Sequence, residues 1–311
     1  MIVTELYNGQ GLGNQLWCYF TTRLIAHHKG YDFGIMGTHK FKGKEFMNLD
    51  FGKQVLGGSG PEGGPPDTLP EYIVNYYNEK MSRHPNGMDI SKFDSGLVNI
   101  PDNTKLEGNR QSSEYVIHDK ELIRSWLNLT KEVDDDIDYD NTCFIHIRGG
   151  DFLGCPMYLK GNYYQDAIRH MRDINPQIQF KIITDDFNHA KHICPSIDFI
   201  GGATSNEEDK HKASHHAGGP IWLDWLLMYN AKNLILSASS FSFWATFLGC
   251  AENVIAPMYW AGYTYSDGYW SCGDSLIPDW KYLNRDGVLK SYDKCLGEKL
   301  SYENINKHYW T

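Results

Sequence analysis

The chain has 311 residues, which is long for a single core, and its 20 Tyr and 9 Trp can fill a substantial interior. These properties predict a globular protein of two domains. The net charge of -10 and the lack of a block rich in Lys and Arg argue against an extended nucleic-acid surface, although one basic pocket can still hold a nucleotide. Seven cysteines form no CxxC pair, which predicts reduced, buried thiols and not a disulfide framework.

The chain lacks the usual signals for a membrane. Met1 to Tyr7 do not show the basic and then apolar order of a signal peptide. The most apolar region, residues 221–250, is interrupted by Asp224 and Lys232 before it reaches the length of a membrane helix. We therefore expect a soluble, cytoplasmic protein with no membrane span.

A strand, a glycine loop and a helix open the chain. Residues 2–7 alternate as a strand, residues 8–15 contain three glycines at alternate positions, and residues 16–29 have the apolar spacing of a helix. This order can cradle a phosphate, because backbone N–H groups and the start of the helix face the ligand. The spacing of Gly9, Gly11 and Gly13 is not the dinucleotide fingerprint, and a tight turn is the alternative interpretation.

The rest of the first half carries weaker signals. Residues 57–66, rich in Gly and Pro, predict a surface loop, and strands are indicated near residues 72–77 and 96–100. Residues 114–127 predict a helix. The acidic run of residues 134–140 contains Asp-x-Asp spacings that can hold a divalent metal, but its place before a strand favours a solvated linker.

Strands and helices alternate regularly from residue 142, which predicts a doubly wound parallel sheet. The predicted strands are residues 142–147, 179–184, 197–200, 233–236 and 253–256. The predicted helices are residues 163–173, 187–192, 221–231 and 241–250. Because the first half opens in the same way, we expect an α/β protein with two Rossmann-like domains that face a cleft.

Polar side chains follow three of these strands. They are His146, Arg148 and Asp151; Thr184, Asp185 and Asp186; and Ser239 and Ser240 at the start of a helix. Parallel strands bring such residues to one edge of the sheet, where α/β proteins bind ligands. An arginine beside two glycines suits a phosphate, whereas an ion pair between Arg148 and Asp151 that only fixes a loop is the alternative. The serines fit helix caps as well as an anion site. Together these residues predict a nucleoside diphosphate pocket.

Several collinear motifs resemble the alpha-1,2-fucosyltransferase family of GT-B glycosyltransferases, of bacterial or viral type. The family's Gly-x-Gly-Asn-Gln, GxxQSxxY, His-x-Arg-Arg-Gly-Asp, Ser-Asp-Asp, Asn-Ser-Ser-Phe-Ser-Trp-Trp and Pro-x-x-Trp motifs correspond here to residues 11–15, 108–115, 146–151, 184–186, 238–244 and 257–260. The resemblance implies a GT-B-like fold with an acceptor-side domain over residues 1–140 and a donor-binding domain over residues 141–311.

The resemblance also implies an activity and a set of site residues. It implies an inverting, metal-independent transfer of L-fucose from GDP-fucose to a hydroxyl of an acceptor glycan in alpha-1,2 linkage. Arg148 would stabilise the departing diphosphate, and Asp151 is a candidate base. The implied donor-binding residues are Gly11, Gly13, Asn14, Gln15, His146, Arg148, Thr184, Asp185, Asp186, Ser239, Ser240 and Phe241. No metal ligand and no cofactor besides the nucleotide sugar are implied.

One departure from the family pattern leaves alternatives open. Gly149 stands where the family has its second arginine, so a different nucleotide sugar donor or an inactive carbohydrate-binding relic remains possible on sequence grounds. His211, His215 and His216 lie in a polar stretch without a helix signal, which favours a loop over a zinc site.

Overall fold

The computed structural model describes residues 1–55, 73–83, 89–133, 136–200, 220–271 and 275–307. Contacts between Cα atoms divide the chain into two compact units. Unit 1 contains Met1–Ser82 and Ser91–Lys131, and unit 2 contains Arg83–Ile90 and Glu132–Thr311. The predicted loop of residues 57–66 and the three histidines of residues 211–216 lie outside the described residues.

Unit 1 contains a four-stranded parallel sheet in the order β2-β1-β6-β3. The elements described up to residue 131 are β1 (Ile2–Glu5), α1 (Leu12–Lys29), β2 (Phe33–Met36), β3 (Asn75–Asn78), β4 (Ser82–Arg83), β5 (Asp89–Ile90), β6 (Thr104–Glu107) and α2 (Lys120–Trp126). Within the described part of the chain, strands β4 and β5 form a two-stranded sheet of their own. Helix α1 ends at Gly30, whose left-handed conformation (φ 65°) lets its N–H cap the last carbonyl groups.

Three predictions in the first half were wrong in detail. Helix α1 begins at Leu12, four residues earlier than predicted, so Gly13 to Gln15 belong to its first turn. The predicted strand at residues 96–100 is a 3₁₀ turn over Leu97–Asn99, and the pattern missed β2, β4, β5 and β6. Only Lys120–Trp126 of the predicted helix over residues 114–127 is α-helical, because two 3₁₀ turns precede it.

Unit 2 contains, among the described residues, a seven-stranded sheet in the order β13-β12-β11-β10-β7-β8-β9. Its strands are β7 (Thr142–Ile147), β8 (Gln179–Thr184), β9 (Asp198–Phe199), β10 (Asn233–Ile235), β11 (Asn253–Pro257), β12 (Lys281–Leu283) and β13 (Leu289–Ser291). Its helices are α3 (Gly161–Ile174), α4 (Phe187–Ile193), α5 (Ile221–Asn230), α6 (Ser240–Leu248) and α7 (Tyr292–Ile305). Only β13 runs antiparallel, beside β12. The α/β class and the parallel sheets are therefore confirmed, and β12, β13 and α7 were not predicted.

The core of unit 2 forms around β7, which is buried at every position. Helix α3 packs its apolar face against this strand, and the Tyr163 hydroxyl donates to the Leu236 carbonyl at 2.7 Å, just beyond the end of β10. Full burial of an aliphatic side chain contributes about 1.5–3 kcal/mol, so this layer holds the ends of β7 and β10 at fixed positions. Among the helices of the described residues, none combines the length and the apolar character that crossing a bilayer requires.

The four-stranded sheet and the seven-stranded sheet each have a switch point. This is the place where the chain, after adding strands on one side of the first strand, adds the next strand on its other side. In unit 2 the chain passes from β7 to β8 and β9 on one side and then returns to β10 on the other side. In unit 1 it passes from β1 to β2 on one side, whereas β6 pairs with β1 on the other side. Ligands of open parallel sheets bind at the carboxyl ends of strands beside such a switch point.

Candidate functional site

Arg148 lies one residue beyond β7, at the carboxyl edge of the sheet in unit 2. Its guanidinium donates from Nη1 to Oδ2 of Asp185 and from Nη2 to Oδ1 of Asp151, the latter at 2.6 Å. The two partners differ in exposure, because the Asp185 side chain is 15% exposed and that of Asp151 is 63% exposed. Asp185 therefore anchors the arginine, whereas water or a ligand can replace Asp151.

Asp185, the first residue after β8, joins the ends of β7 and β8. Its Oδ1 accepts the Gly149 N–H at 2.7 Å while its Oδ2 holds Arg148. Burial raises the pKa of Asp185 above its ordinary value, and the Arg148 guanidinium and the Gly149 N–H offset part of that effect. The Asp185 carboxylate thus holds both the Arg148 guanidinium and the backbone of the loop after β7.

Asp186 and Thr184 stabilise the same corner. The Asp186 Oδ1 accepts the His189 N–H at 3.0 Å and so caps α4, while its Oδ2 accepts the Gly150 N–H at 3.3 Å. The Thr184 hydroxyl oxygen accepts the Asp186 N–H at 3.0 Å and is buried. These bonds fix the loop after β7 against the loop after β8.

Gly149 has no room for a side chain. A Cβ atom at this position would lie 2.5 Å from the Cβ of Asp186 and 3.1 Å from its carboxylate. Since Asp186 is held by the cap of α4 and by Gly150, it cannot move away without breaking these bonds. The position at which the resembling family has its second arginine is therefore closed in this chain.

His146 connects β7 to the segment after β10, across the switch point. Its Nδ1 lies 2.7 Å from the Ser237 hydroxyl, and its ring centroid lies 6.2 Å from that of Phe241 at the start of α6. Burial, with a smaller contribution from the nearby Arg148 charge, lowers the pKa of His146 to about 3. The imidazole is therefore neutral at physiological pH. Sequence reasoning missed Ser237, for which the nearby run of serines was the available signal.

Ser239 caps helix α6, as one of the two interpretations of these serines predicted. Its hydroxyl oxygen accepts the Phe241 N–H at 3.3 Å, and Ser240 is the first residue of the helix. The first turn of α6 lacks an acidic side chain, so its positive dipole end remains available to an anion. The contacts of His146 place this helix start beside the end of β7.

Gly11 and Gly13, the glycines of the first predicted motif, occupy different positions at the start of helix α1 in unit 1. Gly11 is the N-cap residue of α1, and a Cβ added to it would meet no atom within 4 Å. Gly13 is buried in the first turn. The expected close approach of a ligand to these glycines stays a prediction.

Asn14 and Gln15 make contacts inside unit 1. The Asn14 Oδ1 accepts from the Gln111 amide at 2.7 Å. The buried Gln15 amide donates to the Lys40 carbonyl at 2.9 Å and accepts the Lys42 N–H at 2.9 Å. Gln15 thus fixes the segment after β2, and its predicted contact with the donor is not tested by these bonds.

The acidic run lies ahead of β7, at the amino edge of the sheet. Asp138 accepts from the Asn141 amide at 2.8 Å, and Asp140 pairs with Lys232 at 2.5 Å. Residues 134 and 135 lie outside the described part of the chain. Within the described part, no group of three or more His, Cys, Asp or Glu side chains is arranged to hold a metal ion.

Comparison with known proteins gives a family match and two relatives. The sequence model described as Glycosyl transferase family 11 matches residues 71–284. An alpha-1,2-colitosyltransferase of Escherichia coli is 29% identical over 214 residues, which cover 62% of this chain and 69% of that protein. The O-antigen biosynthesis glycosyltransferase WbnK of Escherichia coli is 26% identical over 128 residues, which cover 39% of each chain.

Among solved structures, the chain has a distant likeness to the fucosyltransferase NodZ from Bradyrhizobium, with a TM-score of 0.44 and 15% identity over 93% of this chain and 97% of that one. The family assignment depends instead on the sequence match, which spans more than half of the chain and includes Arg148, Asp185 and Ser239. The chain is therefore a glycosyltransferase and belongs to glycosyl transferase family 11.

Proposed function

We propose that the protein transfers a sugar, L-fucose from GDP-fucose by its resemblance, to a hydroxyl of an acceptor glycan, in an inverting, metal-independent reaction. The observation that carries this proposal is the position of Arg148 at the switch point of unit 2. It is held there by Asp185, whose side chain is 15% exposed, while its second carboxylate partner, Asp151, is 63% exposed.

The donor diphosphate takes the place of Asp151 on the guanidinium. A diphosphate presents oxygens in the spacing that a guanidinium binds through two parallel hydrogen bonds. It also carries more negative charge than a single carboxylate such as Asp151. The start of α6, tied to the end of β7 through His146, adds N–H groups with a favourable dipole. Asp186, with Thr184 behind it, and the neutral His146 border the space that the nucleoside occupies.

In the chemical step the acceptor hydroxyl oxygen bonds to the anomeric carbon while the bond from that carbon to the diphosphate oxygen breaks. Negative charge develops on the departing diphosphate, and Arg148 stabilises it without a metal ion. The acceptor proton passes to Asp151, which the diphosphate has released from Arg148. The product GDP leaves with both phosphates, so atoms and charge balance.

A second candidate keeps the reaction and changes the donor sugar. Two observations favour it: the closed position at Gly149, where the resembling family has an arginine, and the name of the relative that is 29% identical, an alpha-1,2-colitosyltransferase. Under this alternative the donor is GDP-colitose.

A thermal-shift screen in the presence of a chelator tests these candidates. The ligands are GDP, UDP, GDP-fucose and GDP-colitose, and a ligand that binds only the folded state raises Tm. We expect GDP and one GDP-sugar to raise Tm and UDP to leave it unchanged. The Arg148→Ala variant should lose the shift, whereas Arg169→Ala, which removes an exposed arginine paired to Asp166, should keep it. A Tm raised by UDP alone, or by no nucleotide, contradicts the proposal.

A further inference from the structure

A second group of charged side chains lies at the switch point of unit 1, where β1 and β6 end side by side. Glu5 is the last residue of β1, and Lys105 and Glu107 belong to β6. In the parallel register Val3 pairs with Lys105, so Glu5, Lys105 and Glu107 project from the same face of the sheet. We call Glu5, Tyr7, Lys40, Lys105 and Glu107 the β1/β6 cluster.

The contacts of the β1/β6 cluster form one network. The Lys105 ammonium donates to Glu5 at 3.0 Å and pairs with Glu107 at 2.8 Å. Lys40 lies 3.7 Å from the other oxygen of Glu5. The Tyr7 hydroxyl donates to the Glu107 carboxylate, with 2.8 and 3.0 Å to its two oxygens.

The charges of this network cancel, because two carboxylates face two ammonium groups. Burial acts to lower the pKa of Lys105, but its bonds to Glu107 and Glu5 outweigh that effect and raise it. Lys105 therefore stays charged and committed to its partners. An anionic ligand would gain little here, because it would have to displace the buried Glu5 or the partly buried Glu107 carboxylate. The cluster suits a ligand that is neutral and polar.

Two exposed aromatic rings flank this neutral network. The Lys105 ammonium lies 5.9 Å from the ring centroid of Tyr7 and 5.9 Å from that of Tyr76, which pairs with Lys105 in the register of β3 and β6. Tyr7 is 37% exposed and Tyr76 is 59% exposed. Exposed rings beside partly buried hydrogen-bonding groups offer a ligand an apolar platform and fixed polar contacts at the same place.

We propose that the β1/β6 cluster and Tyr76 form a binding site for a neutral pyranoside, and that this sugar is the acceptor of the transfer reaction. The C–H face of a pyranose stacks on the Tyr76 ring. A hydroxyl group of the same ring donates to the partly exposed Glu107 carboxylate, whose position is fixed by its bonds to Lys105 and Tyr7. The role of this sugar as the acceptor rests on the proposed function, whereas the binding of a pyranoside does not.

Sugar binding without any donor tests the site directly. The probes are methyl β-galactopyranoside, methyl β-glucopyranoside and methyl N-acetyl-β-glucosaminide, each followed by saturation-transfer NMR with the full chain. We expect at least one probe to bind, with the strongest transfer to its ring C–H protons. Tyr76→Ala should weaken that binding roughly 10-fold, the loss expected for an aromatic contact of about 1.4 kcal/mol.

Matched control variants separate a sugar site from a structural network. Tyr31 lies ahead of β2, at the opposite edge of the sheet, and its ring also faces a lysine, with 6.0 Å from the Lys29 ammonium. Tyr31→Ala should leave sugar binding unchanged. Glu107→Gln should weaken it, whereas Glu45→Gln, which breaks the Lys131 ion pair, should not. The inference is overturned if no probe binds, or if Tyr76→Ala and Glu107→Gln bind as the wild type does.

Failure of this inference can be told apart from failure of the proposed function. Tyr76→Ala should raise the KM for the acceptor and leave the thermal shift by GDP unchanged. If GDP fails to bind and a pyranoside still binds at Tyr76, only the proposed function is wrong. If GDP binds and transfer proceeds with an unchanged acceptor KM in Tyr76→Ala, only the acceptor site is wrong.

Discussion

At each of the two switch points a cation has two carboxylate partners, but the exposure of these partners differs between the two units. In unit 1 the Lys105 ammonium lies between two carboxylates, the buried Glu5 and the partly buried Glu107, whose side chain is 23% exposed. In unit 2 the Arg148 guanidinium also has two carboxylate partners, Asp185, which is 15% exposed, and Asp151, which is 63% exposed. The number of partners is the same, and the exposure of the second one differs.

That difference determines which ligand each site suits. A cation with one exposed partner can exchange it for a phosphate at little cost, since exposed ion pairs contribute only about 0–1 kcal/mol. A cation between the buried Glu5 and the partly buried Glu107 cannot exchange either of them at a similar cost. The comparison therefore assigns an anionic ligand to unit 2 and a neutral ligand to unit 1.

Replacement of Arg148 should give the largest effect on this comparison. We expect Arg148→Ala to lower transfer at least ~100-fold, as for other groups that stabilise charge in a transition state. The measurement is kcat/KM for the donor, with Arg169→Ala as the control. Near-normal turnover in Arg148→Ala would end the assignment of the diphosphate to this site.

Asp151→Asn separates two functions of the exposed partner. Without its charge Asp151 no longer competes for Arg148, so the Kd for GDP should fall up to about 5-fold, which corresponds to an exposed ion pair. Turnover should fall roughly 100-fold, because the proton acceptor is lost. Calorimetry and steady-state kinetics on one preparation measure both effects. Unchanged turnover with tighter GDP would leave Asp151 only its ion-pair role.

His146 should make the stability of unit 2 depend on pH. Its pKa in the folded protein is about 3, below the ordinary value of 6.5, so the unfolded chain binds a proton that the folded one refuses. Its contribution to stability is therefore complete above pH 6.5 and declines by about 1.4 kcal/mol per pH unit as the pH falls towards 3.

The test compares denaturant unfolding of wild type and His146→Gln across this pH range. The variant should show the smaller loss of unfolding free energy on acidification, whatever its stability at neutral pH. Equal slopes in wild type and His146→Gln would show that this imidazole is not buried in its neutral form.

Gly149→Ala should give the smallest of these effects and probes the closed position beside Arg148. The added Cβ would overlap that of Asp186, so we expect a loss of about 1–3 kcal/mol, as for other overpacked sites. Gly161→Ala is the matched control, because its Cβ would have only one neighbour, at 3.9 Å. Chemical unfolding measures both variants, and equal stability would mean that Asp186 yields readily.

The sequence predicted unit 2 better than unit 1, for a physical reason. Strand β7 is mostly apolar and is followed by two glycines, so its limits and the place of Arg148 follow from the sequence pattern alone. Strand β6 has the sequence Thr-Lys-Leu-Glu, in which the buried Lys105 looks like a surface residue. Its burial depends on the pairing of its ammonium with Glu5, 100 positions away in the chain, and no local pattern records that contact.

The candidate site shows the same limit at the level of single side chains. The meeting of the ends of β7 and β8 was predictable from the parallel alternation, and so was the cap by Ser239. The less exposed partner of Arg148 was not predictable, since Asp151 is three residues away along the chain and Asp185 is thirty-seven. Gln15 illustrates the converse, because a conspicuous motif residue proved to bond the backbone of residues 40 and 42.

Hydrogen–deuterium exchange of the full chain, with GDP alone and with a binding pyranoside alone, tests the central claim most directly. The account predicts that GDP slows exchange over residues 146–153 and 237–243 and leaves residues 5–9 and 105–108 unchanged. The pyranoside should give the reverse pattern. Protection by GDP at the ends of β1 and β6, with none at the end of β7, would contradict the division of anionic and neutral ligands between the two switch points.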